Sequence, residues 1–119
     1  QVAINTKTVP VGYAFAVKGK IITEEVKVQL HTNWPDYVFS ETYKLPSLKE
    51  VEKSIEKNGH LPNIPSAKEV EKNGIKLGQM NAKLLEKIEE LTLYTIQQQK
   101  EITLLKEKFK QFEKLLKKK

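Results

Sequence analysis

Chemistry in this chain would have to come from few side chains. The serines are Ser40, Ser47, Ser54 and Ser66, and the histidines are His31 and His60. A nucleophile needs a base within hydrogen-bond reach, and Ser47 and Ser66 are already engaged as helix caps. No His-x-x-x-His and no His/Glu pattern at metal-ligand spacing occurs. The absence of cysteine excludes thiolate metal sites and disulfides, and leaves the redox compartment unread. His60 follows a helix stop and precedes Leu61-Pro62, where it reads as a turn-packing residue. The pairs Glu24-Glu25 and Glu89-Glu90 are adjacent on charged faces and read as solvated surface. Five glycines make no phosphate-cradling loop. Enzyme activity, cofactors and metals therefore find no support in the sequence.

One stretch does concentrate aromatic and acidic groups. It is NWPDYVF, holding the single Trp (Trp34) and single Asp (Asp36) of the chain with Tyr37 and Phe39 just behind. Two readings compete. In one it is a packed junction: Pro35 ends a strand, the aromatics supply apolar area, and Asp36 accepts hydrogen bonds from nearby backbone N–H groups. In the other, Trp34 is a platform for carbohydrate. The junction reading is preferred.

The elements that must position this stretch fall in three zones. Residues 1–33 alternate in the manner of short strands: Tyr13, Phe15 and Val17 share a face, Lys18-Gly19-Lys20 turns, and Val26, Val28 and Leu30 alternate again. About thirty such residues cannot bury a core alone. Residues 34–76 form the junction and a connector of two short helices. Ser47 caps the first with Glu50 closing a capping box, and Asn58-Gly59 stops it. Leu48, Val51 and Ile55 share its apolar face. The stretch "HLPNIP" interrupts with Pro62 and Pro65. The device then repeats, with Ser66 as cap, Glu69 closing the box and Asn73-Gly74 as the stop.

Residues 77–119 carry heptads. With Ile88 at a, the a positions are Asn81, Ile88, Thr95, Ile102, Phe109 and Leu116, and the d positions are Leu77, Leu84, Leu91, Gln98, Leu105 and Phe112. Nine of these twelve are apolar, which predicts a coiled coil. A rod of about 60 Å is too long for so small a head to cover, so further copies must cover its seam. Glu101–Lys106 and Lys108–Glu113 become attractive g–e pairs in a parallel, in-register assembly, each worth only a few tenths of a kcal/mol. Ile at a with Leu at d favours two strands. Met80 and Leu85 widen the stripe and Phe109 and Phe112 are bulky, which places a trimer ahead of a dimer. Thr95 and Gln98 read as selectors of register and stoichiometry, with a buried ion or water site between chains as the alternative.

Composition bounds the partners. The chain has 119 residues, 39% hydrophobic and 30% charged, with net charge +6. All 21 basic residues are Lys, and +5 of the excess lies in the last fourteen residues, seven Lys against two Glu. Without Arg there is no bidentate reader of guanine or phosphate, and Lys at a helix end complements the macrodipole. A nucleic-acid partner is not expected. No stretch approaches the roughly 20 apolar residues of a membrane span. The chain opens without Met inside a strand-like pattern and is expected to be a piece of a longer polypeptide, which leaves room for targeting information upstream.

Residues 36–102, from "DYVFSETYKLPSLKEVEKSIEKNGHLPNIPSAKEV" through "MNAKLLEKIEELTLY" to "TIQQQKEI", resemble the C-terminal module of Bacteroidota tail-fibre-like surface proteins and adhesins. The preceding "INTKTVPVGYAFAVKGKIITEEVKVQ" resembles the last shaft repeat of such fibres. The resemblance implies a parallel homotrimer ending a long extracellular or cell-surface fibre, with export by the secretion system of gliding bacteria as one route. A more distant similarity is to the intramolecular chaperone domains of phage tail spikes, which trimerise a fibre and cleave themselves off through a Ser-Asp pair and a nearby Lys. Here Trp34-Pro35-Asp36 stands at the corresponding position, with Pro in place of Ser and Lys44 falling late, which argues against self-cleavage.

The expected fold is thus α+β: short N-terminal strands ending a trimeric β-shaft, two short capped helices and a long parallel C-terminal coiled coil. The expected role is non-enzymatic homotrimerisation and capping. The alternatives are a tip or docking module for a glycan or cell-surface protein through Trp34, Tyr37 or the basic tail, and a self-cleaving chaperone.

Overall fold

The computed structural model of the chain describes residues 1–30 and 34–118. The end of the strand-like zone, His31 to Asn33, and Lys119 lie outside the described residues. The structure is mostly helical, with two short strands. In order it comprises β1 (Val2–Ile4), β2 (Phe15–Val17), a single 3-10 turn (Tyr37–Phe39), α1 (Leu48–Asn58), α2 (Ala67–Asn73) and α3 (Leu77–Lys117).

β1 and β2 pair in parallel, with Val2 opposite Phe15, Ala3 opposite Ala16 and Ile4 opposite Val17. Val2 N–H donates to Ala14 O at 2.9 Å and Lys18 N–H donates to Ile4 O at 3.0 Å, extending the ladder at both ends. Residues 26–30, expected as a further alternating strand, belong to no sheet. The reason is a missing partner: among the described residues nothing pairs with their backbone, and a strand exists only as one side of a ladder.

The capping signals act as read at α1. Ser47 Oγ accepts from Glu50 N–H at 3.1 Å and the Glu50 carboxylate accepts from Ser47 N–H at 2.9 Å. Gly59 ends the helix in the left-handed region, φ 75°, with its N–H on Ile55 O, a conformation that costs glycine little. Ser47→Ala is expected to cost about 1 kcal/mol of helix stability, measured as a lowered urea midpoint. At α2 the expected box is only half made. Ser66 Oγ accepts from Glu69 N–H, but the Glu69 carboxylate takes the Ser66 hydroxyl instead of the Ser66 backbone N–H.

α3 is 41 residues long, or about 60 Å at 1.5 Å per residue. It makes the molecule a rod, 85 × 30 × 30 Å with a radius of gyration of 23.0 Å. A compact chain of this length would have a radius near 13 Å. Neither α1 nor α2 packs closely on another helix or strand, whereas the 3-10 turn rests on α3. The chain exposes 11040 Å², against about 6,600 Å² for a folded monomer of this mass. The buried centre is small: Pro35, Val38 and Tyr94, together with the side chains of Glu86, Glu89 and Glu90.

Candidate functional site

α3 presents two faces with opposite fates. At 100° per residue, Gly78, Glu86, Glu89, Glu90 and Tyr94 fall on one side, and Leu77, Leu84, Ile88 and Leu91 on the other. The residues before α1 fold down onto the first side. Every residue of the second side stays exposed.

The covered face is polar. Tyr37 O–H donates to the Glu86 carboxylate and Tyr43 O–H to that of Glu90. The two tyrosine rings lie 5.9 Å apart at 48°, a tilted pair of the favoured kind. Asn63 adds its amide to both Glu86 oxygens at 3.3 and 3.4 Å. Its position follows from local chemistry: Pro62 and a left-handed Asn63, φ 62°, form a turn closed by Ile64 N–H on Leu61 O at 3.2 Å, a conformation Asn tolerates. Tyr94 O–H donates to Pro46 O, tying the start of α1 to the rod. Lys87 lies 3.1 Å from Glu90 and 3.6 Å from Glu86. Lys87 thus serves two of the three buried carboxylates and, among the described residues, leaves Glu89 without a cation.

Burial and hydrogen bonding shift the acidic groups of this face. Hydrogen bonding to Glu86, then burial, pushes the Tyr37 hydroxyl up to about 12. Burial, then the bond to Glu90, raises Tyr43, and burial raises Tyr94. Glu89 is raised from its ordinary 4.5 by burial and then by the neighbouring Asp36. Its Oε2 is buried without a hydrogen-bond partner, a costly arrangement for an ionised carboxylate. Because the folded state holds the Glu89 proton more tightly, its contribution to stability is complete below 4.5 and declines as pH rises above that value. Glu89→Gln, which imitates the protonated acid, is expected to stabilise the protein, by a margin that widens from pH 4.5 upward. Thermal melts of both proteins across that range check this.

Several expectations need correcting. Glu89-Glu90, read as solvated surface, is buried under the junction. Asp36 begins the 3-10 turn but makes no side-chain cap bond, and it faces Glu89 instead of backbone N–H groups. The junction aromatics do not supply the buried apolar area in this chain: Trp34 is 59% exposed, Phe39 54% and Tyr37 42%, while Pro35 and Val38 are buried. Tyr37 is held by its hydroxyl on Glu86, whereas Trp34 borders a groove with Val28, Leu30, Leu77 and Gly78. His60 Nδ1 lies 2.9 Å from Leu61 O, a contact with the residue that follows it.

The predicted seam residues Leu77, Leu84, Ile88, Leu91, Thr95, Gln98, Ile102, Leu105, Phe109, Phe112 and Leu116 all lie on α3 and are all exposed. Thr95 Oγ1 donates to Leu91 O at 2.8 Å, so its hydroxyl is satisfied within the helix. Glu86, Glu90, Tyr43 and Asn63 were missed. Their partners lie 23 to 49 residues away, and no spacing rule reaches so far.

Among the described residues no helix is long and apolar enough to cross a membrane, and no group of three or more His, Asp or Glu side chains is placed to hold a metal ion. Compared with family models, curated proteins and solved structures, the chain matches none.

Proposed function

We propose that the chain is a non-enzymatic homotrimerisation and capping module at the C-terminus of an extracellular fibre or cell-surface adhesin, setting the register in which three chains wind a β-shaft. The observation that carries this reading is the division of labour on α3. The chain spends its own junction on the polar face of the rod and leaves the heptad stripe bare, with Ile88 57%, Leu91 61%, Leu105 64% and Phe109 62% exposed. The excess surface over a compact monomer, about 4,400 Å² by the mass scaling, is of the size that obligate oligomers bury. Parallel β1 and β2 with their apolar side chains half exposed add to the demand for partner chains. Self-cleavage is not part of the proposal, since Pro35 stands fully buried where a serine would be needed.

Light scattering on the purified chain tests it. A solution mass of three chains is expected; a stable, folded single chain would end the reading, and two chains would replace the trimer by a dimer. A second reading, a tip that binds a glycan or protein, draws on the exposure of Trp34. Trp34→Ala with the basic tail removed should then abolish ligand binding in intact trimers.

A further inference from the structure

The pairing of β1 with β2 steps the chain by thirteen residues, since Phe15 lies opposite Val2 and 15 − 2 = 13. The same step taken once more reaches Val28, since 28 − 15 = 13, and the residues there repeat the pattern. Val2-Ala3-Ile4, Phe15-Ala16-Val17 and Val28-Gln29-Leu30 each place two large apolar side chains around a small or polar one. In a parallel ladder the outer pair of each triplet falls on one face, so Val2, Phe15 and Val28 would form one column and Ile4, Val17 and Leu30 another. Yet the third triplet is in no sheet. Its backbone makes no hydrogen bond to another described segment, and its side chains remain 45% (Val28) and 37% (Leu30) exposed.

The third triplet lies against α3 instead. A Cβ on Gly78 would lie 2.7 Å from Val28 Cγ1 and 2.9 Å from Leu30 Cδ2. The helix therefore needs glycine there to seat both residues. The chain's own β2 keeps its free edge, and the triplet anchored on α3 keeps another.

We infer that Val28–Leu30 is the third rung of this ladder and that it pairs with β2 of a second copy of the chain, in parallel, with Phe15 of that copy opposite Val28. The inference rests on the assembly reading above. A parallel bundle of α3 rods brings equivalent strands of neighbouring copies to the same height. Each free β2 edge then meets a matching triplet, and the pairing covers that edge, which would otherwise be a liability. A one-residue slip would turn Gln29 onto the apolar face, so the register is defined. Each rung 28–30 thereby welds the shaft of one copy to the rod of the next.

The lack of native cysteine makes the test direct. Ala16 and Gln29 should lie opposite each other on the second face, at a strand spacing of about 5 Å that a disulfide spans. Full-length A16C and Q29C chains, unfolded together, refolded and mildly oxidised, are expected to give a two-chain covalent species on a non-reducing gel. The double variant should run as covalently linked trimer. A3C mixed with Q29C, two rungs apart at about 10 Å, should not cross-link. A single-chain disulfide in the double variant, or no cross-link while light scattering still reports three chains, overturns the strand exchange and spares the assembly reading. A single-chain mass without oxidation overturns both.

Discussion

Replacing Ile88 and Leu91 together by Asp is expected to turn the assembly into single chains. In the isolated chain both side chains are more than half exposed, so a monomer would scarcely register the change. In a bundle each buries in the seam, and each such burial contributes about 1.5–3 kcal/mol. Two adjacent layers of three copies would lose that and gain unpaired carboxylates in an apolar core. Light scattering should fall from three chains to one. Circular dichroism should report lost helix, because among the described residues the part of α3 beyond Glu101 is exposed along its whole length and most helical stability comes from packing. Residues 1–30 should lose their strands at the same time. Unchanged mass would refute the seam, and strands surviving in a monomer would show that the N-terminal zone folds without register from α3.

Glu86→Ala is expected to produce the second large effect, within each chain instead of between chains. Glu86 accepts from Tyr37 and from Asn63, so it ties the junction and the Pro62-Asn63 turn to one point on α3. Its removal leaves those donors without their acceptor at a partly buried site, at roughly 1–3 kcal/mol. Relief of repulsion from Glu89 and Glu90 offsets part of this. The cost should appear as a lowered midpoint in urea and as a return of the raised Tyr37 titration toward that of free tyrosine, read by ultraviolet absorbance. The contrast with Glu89→Gln is the sharper check. Two glutamates three residues apart on one helix should respond with opposite sign, because one is fully partnered and the other holds an orphan oxygen beside Asp36. If both substitutions destabilise, the account of Glu89 as an unpaired buried acid is wrong.

Much of the fold could be read along the chain because its signals are local. Ser47 with Glu50, and the stops at Asn58-Gly59 and Asn73-Gly74, act within a single helical turn. The seam from Leu77 to Leu116 is a periodicity, and any helix must gather those residues on one stripe. Even the half-made box at Ser66 fails only in where one carboxylate turns. The same local reading went astray at Glu89-Glu90, where adjacency and charge signify solvent unless something distant comes to cover them.

The sequence by itself determined the capped helices, the rod and the stripe along it, since each follows from side chains a few residues apart and the fixed geometry of a helix. Only the tertiary structure decided which face of the rod the chain covers for itself. That choice depends on Tyr37, Tyr43 and Asn63 reaching carboxylates 23 to 49 residues away, and on Gly78 leaving room for Val28 and Leu30. Contacts at such separation are set by packing and hydrogen-bond satisfaction in three dimensions, for which the order of residues carries no period. The parallel pairing of β1 with β2 has the same origin: alternation marks a strand but not its neighbour.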